Sequence, residues 1–113
     1  MTITNAKVNQ AALLAGMYSD GYFPNHLVDK VKGILLELCE QIEARKPQDE
    51  ASLLELTHAA TERINDLEEE FEEHDSELET GAREDMAESF EHIVRAYGFT
   101  EVDIEDVIAP REW

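Results

Sequence analysis

The nearest approach to a metal motif in this 113-residue chain is Glu55 and His58, a Glu-x-x-His pair. On a helix, residues three apart share a face, so carboxylate and imidazole can reach one ion together. Di-iron carboxylate sites take two such pairs and two further glutamates, all facing inward. Here there is one pair, because Phe71 stands three residues before His74 and Ser89 three before His92. Glu70/His74 and Glu88/His92 lie four apart and offer only a weak cation perch. No specific metal centre and no cofactor is expected.

Nucleophilic chemistry has as little to work with. Cys39 is the single cysteine, set in an apolar helical pattern, which marks inert core and forbids an internal disulfide. Neither a Gly-x-Ser-x-Gly elbow nor a phosphate-binding or dinucleotide loop is present, and the expectation is a protein that is not an enzyme. One polar line does merit a function: Thr57, Thr61 and Asn65, four apart, run beside an apolar stripe and need partners if buried. A pocket built on that line would draw on Tyr22, His58, Thr61, Glu88 and Tyr97.

The strongest compositional feature is Asn65–Thr80 (NDLEEEFEEHDSELET), with nine carboxylates and no Lys or Arg. Between Asp66 and Glu79 a helix would carry one negative charge per ~2.3 Å, against one per ~1.7 Å in duplex DNA. The ordinary account is a solvated helix face. The functional one is a binding face, with Glu69, Glu70, Glu73 and Glu77 as its core.

Helices position all of these residues. Thr4 or Asn5 can cap a first helix over about 5–16, which Gly16 and Asp20-Gly21 would stop. Asn25 is the natural cap of a second, 26–45, whose stripe Leu27, Val31, Ile34, Leu38 and Ile42 is widened by Val28, Leu35 and Cys39 into a central-helix face. Asp49 caps a third, 50–74, with Leu53, Leu56, Ala60, Ile64, Leu67 and Phe71 spaced 3, 4, 4, 3 and 4. The pattern runs on through Leu78, Ala82, Met86, Phe90, Ile93 and Tyr97. A single helix from Asp49 to Tyr97 would be ~73 Å long, so a break is placed near 75–81, where Ser76-x-x-Glu79 forms a capping box. A fourth helix over 81–97 then ends at Gly98, and a short closing helix covers 101–108. The expected fold is all-α, a four-helix bundle in one domain.

Charge is divided unevenly along the chain. Residues 1–48 hold five acids and five bases, and residues 49–113 hold 22 acids against four arginines, so the net −18 belongs to the second part. Such a surface repels phosphate and excludes nucleic acid and anionic membrane as partners. No apolar run approaches ~18 residues and no basic-then-apolar leader opens the chain, and the expected setting is cytoplasmic.

Three blocks, MYSDGYFPNHLVDKVKGILLELCEQIEARKP (Met17–Pro47), LTHAATERIN (Leu56–Asn65) and AREDMAESFEHIVRAYGF (Ala82–Phe99), resemble a family of small acidic bacterial proteins of unknown function. The likeness extends to the closing DIEDVIAPREW. It implies a bacterial helical protein and brings no assigned catalytic or binding residues. The leading expectation is a non-enzymatic binding module whose acidic helical face engages a basic protein, in the manner of an inhibitor or immunity protein. The alternative is a ligand- or metal-binding bundle with a polar pocket around His58 and Glu88. A homodimer through the wide stripe of the second helix is a third option.

Overall fold

The computed structural model describes residues 3–9, 13–74, 76, 78 and 80–113. Among them there are seven α-helices and no strand: α1 Ala6–Asn9, α2 Ala15–Ser19, α3 Asn25–Arg45, α4 Glu50–Asn65, α5 Glu68–Glu73, α6 Thr80–Ala96 and α7 Ile104–Val107. The fold is all-α. Three long helices, α3, α4 and α6, make a rough bundle with short helices in the fourth place. The turn Lys46–Asp49 returns α4 along α3, α6 packs on α1, α2 and α3, and α7 bridges α4 and α6.

Local chemistry sets most helix ends. Asn5 Oδ1 accepts from the N–H groups of Lys7 (2.9 Å) and Val8 (3.2 Å) and caps α1. Asp49 Oδ1 accepts from Ser52 N–H at 2.8 Å, and Asp103 Oδ1 from Glu105 N–H at 2.9 Å. After α6 the chain makes a Schellman turn: Gly98 N–H donates to Arg95 O and Phe99 N–H to Val94 O. Gly98 sits there at φ +94°, a conformation that glycine adopts without a Cβ penalty.

Five boundaries differ from the sequence expectation, one of them the closing helix, which spans Ile104–Val107 and not 101–108 because Asp103 caps it. The first helix is two pieces, because Leu14 takes φ 61° and turns the chain, its side chain buried. Gly16 does not stop a helix but lies inside α2, where it gives room to Asp85; a Cβ there would meet Asp85 Oδ2 at 3.2 Å. Asp85 accepts from Met17 N–H (2.8 Å) and Ser89 Oγ from Leu14 N–H (3.3 Å), so α6 supplies the caps that α2 lacks in its own sequence. Asn25 is the first residue of α3 and not its cap. Pro24 holds the capping position at φ −60° and ψ 127°, with its carbonyl accepting from Leu27 and Val28 N–H. The third helix is interrupted at Asp66-Leu67, where Leu67 N–H bonds back three residues to Ile64 O, and α5 follows from Glu68 with Leu67 and Phe71 both buried. The expected break before α6 lies between Glu73 and Thr80, with Asp75, Glu77 and Glu79 outside the described residues.

The core fills the space between α3, α4 and α6. Leu27, Val28, Val31, Leu35, Leu38, Cys39 and Ile42 of α3 meet Leu53 and Ile64 of α4 and Met86, Phe90 and Ile93 of α6, all buried. Burying one such side chain stabilises by about 1.5–3 kcal/mol. The wide stripe of α3 is thus covered within the chain itself. Among the described residues, Tyr22 is the large apolar side chain left exposed, at 41%.

Candidate functional site

The polar line on α4 finds its partners in the backbone. Thr57 Oγ1 donates to Leu54 O at 3.2 Å, and Thr61 Oγ1 to Thr57 O at 2.8 Å, both side chains fully buried. Asn65 reaches the C-terminal tail with both ends of its amide: Nδ2 donates to Pro110 O at 3.0 Å, and Oδ1 accepts from Glu112 N–H at 2.8 Å. His58 extends the same seam, its Nε2 lying 2.7 Å from Asp106 O. A carbonyl only accepts, so this nitrogen carries the proton. The line therefore fastens α7 and the tail to α4, and Trp113 at the end of that tail is buried. Glu55, the partner of His58 in the Glu-x-x-His pair, is exposed.

The remaining pocket residues lie apart from this seam. Tyr97 Oη donates to Glu43 at 2.5 Å, at the C-terminal end of α3. Tyr22 precedes the N-terminus of α3, edge-on to Phe23 with centroids 5.1 Å apart. Asn25 to Glu43 spans about 27 Å of helix, so Tyr22 and Tyr97 stand at opposite ends. Glu88 is exposed on α6, and His92, one turn on, is 3.0 Å from Lys7 O through Nε2. Among the described residues, no hydrogen bond or ion pair joins His58, Thr61, Glu88 and Tyr97 to one another. A groove of about 500 Å³ does exist between α3 and α4, lined among others by Leu38, Gln41, Leu56, Ala60 and Arg63, but none of the five pocket residues lines it.

The Glu43 corner was not singled out by sequence. Its carboxylate accepts from Thr4 N–H and Thr4 Oγ1 (both 2.9 Å), from Asn5 N–H (3.2 Å) and from Tyr97. Burial is the largest single influence and raises the Glu43 pKa, yet the bonds from Tyr97, Thr4 and Asn5 together bring it down to about 2. The neighbouring Cys39 thiol is pushed up to about 12, chiefly by burial, so it is not a nucleophile at neutral pH. This corner straps the N-terminal segment onto the bundle.

Among the described residues, the carboxylates of the acidic run are exposed or half-buried. Glu69, Glu72 and Glu73 of α5 are exposed, as are Glu62 and Asp66 before them, while Glu77 lies outside the described residues. Glu70 is half-buried and forms an ion pair with Lys30 of α3. Among the described residues, no ion pair falls on Glu69, Glu72 or Glu73. Glu68 has its pKa raised, first by burial and then by repulsion from Glu112 and Glu72, with Arg83 opposing. Phe71 anchors the segment from beneath, edge-on to Phe23 at 6.4 Å. His74 Nδ1 lies 2.9 Å from Glu70 O, and its ring meets that of His26 with centroids 4.9 Å apart. Lys30 and His26 belong to this site through packing alone, 40 and 48 residues distant from the groups they meet.

The arrangement offers a charged face on a short helix that a phenylalanine and an ion pair hold to the bundle. Comparison with curated proteins and with solved structures returns no match. A family model matches residues 7–113, nearly the whole chain, and the protein belongs to that family, the family of unknown function DUF5713.

Proposed function

We propose that this is a non-enzymatic binding protein of the bacterial cytoplasm whose acidic α5 face engages a basic protein, as an inhibitor or immunity protein would. The observation that carries the reading is the exposure of Glu69, Glu72 and Glu73 with no ion pair on them among the described residues. A fixed row of carboxylates steers a cationic partner and raises its association rate, and salt screens that attraction. Lys30 and Phe71 matter here by holding the row in place, so that less order has to be created on binding.

The test is native mass spectrometry of the protein isolated from its own cells, at low and moderate salt. The expected result is a stoichiometric basic protein that dissociates as salt rises. Changing Glu69, Glu70, Glu73 and Glu77 to Gln should slow association of the identified partner by about ten-fold or more. Unchanged association by that variant would refute the reading.

A further inference from the structure

Two rungs connect α3 to α5. Lys30 pairs with Glu70, and beside them His26 in the first turn of α3 meets His74, which caps the end of α5. Both imidazoles are exposed, with centroids 4.9 Å apart and planes inclined by 67°. His74 Nδ1 faces the Glu70 carbonyl, and because a carbonyl accepts only, Nδ1 is the protonated nitrogen. In the neutral ring this leaves the Nε2 lone pair free. A metal-binding histidine is oriented in the same way, its second nitrogen donating to a carbonyl. Among the described residues no hydrogen bond ties His26, so its ring can turn toward a shared ion.

The spacing suits one ion. With metal–nitrogen bonds of about 2.0–2.1 Å at a tetrahedral angle, two imidazole centroids on one Zn²⁺ stand about 5 Å apart. The geometry points to a two-histidine site for a borderline divalent transition metal of the Zn²⁺ class, between His26 and His74. Among the described residues no third side chain completes a ligand group, so water takes the open positions and the ion exchanges readily. Imidazole selects such ions over Mg²⁺ and Ca²⁺, which prefer oxygen. The net charge of −18 concentrates divalent cations near the surface. A bound ion would staple the end of α5 to the start of α3 beside the acidic face, and this inference stands independently of a basic partner.

The experiment is calorimetric titration of ZnCl₂ into chelator-stripped protein in excess MgCl₂, followed in parallel by imidazole resonances. One Zn²⁺ per chain is expected, moving the His26 and His74 signals together and leaving those of His58 and His92 in place. His26→Ala and His74→Ala should each weaken binding about ten-fold or more, whereas Glu69→Gln should not. Both histidines are exposed, so the variants keep their fold. Zn²⁺ affinity in both histidine variants unchanged from that of the parent protein, or full competition by Mg²⁺, would assign the binding to the carboxylate surface and overturn the site.

Discussion

At the scale of single residues, Asn65 illustrates how a polar side chain next to a core is used. Its place in the line Thr57, Thr61, Asn65 signals a need for partners, and the two threonines meet it within their own helix. Asn65 instead spends its amide on Pro110 and Glu112, 45 and 47 residues on. Removing both bonds leaves the part-buried Pro110 carbonyl and the exposed Glu112 N–H without their partner, and at about 0.5–1.5 kcal/mol per bond Asn65→Ala should cost about 1–3 kcal/mol. Urea unfolding of the two proteins would measure it, and a change below a few tenths would mean that water replaces the amide. Asn65→Asp should not rescue, because it lacks the donor to Pro110 and adds a charge beside Glu112. Cys39 was readable as inert core from its apolar pattern. Its contact with the Tyr97 and Glu43 corner was not, because that pairing spans two helices.

Among the elements, the N-terminal segment hangs on Glu43. A carboxyl with a lowered folded pKa stabilises fully above its unfolded value, and that contribution fades as pH falls through the folded one. For Glu43 the window runs from 4.5 down to about 2. Hydrogen-exchange protection at the Thr4 and Asn5 amides, corrected for intrinsic rates, should fall across that window while the α3 core stays protected. Glu43→Gln should show weak protection at every pH. Loss of α3 and segment protection together would mean that the strap and the bundle open as one unit. The start signals of α4 and α1 (Asp49 and Asn5) could be read in advance, since a cap acts within three residues. The caps of α2 could not, since Asp85 and Ser89 reach it from α6.

For the molecule as a whole, self-repulsion is the dominant electrostatic fact. With −18 formal charges and four ion pairs among the described residues, all largely solvent-exposed, screening should relieve more repulsion than attraction. The melting temperature is expected to rise from low to moderate NaCl, by about 4 °C for each kcal/mol recovered. Scanning calorimetry across a salt series would check it, and a fall with salt would show that the few ion pairs outweigh the surface charge. Glu68, with its pKa raised by burial and by neighbouring carboxylates, reports the same repulsion locally.

By itself the sequence determined the all-α class, the apolar stripes, some helix starts and the acid-rich stretch. These rest on periodicity, caps and composition, whose physics acts within about one helical turn. Only the tertiary structure decided that the third helix is interrupted at Asp66-Leu67, that the pocket residues Tyr22 and Tyr97 part company, and that His26 stands against His74. Those outcomes depend on how helices distant in the chain cross and which side chains then compete for the same space. No local spacing encodes that.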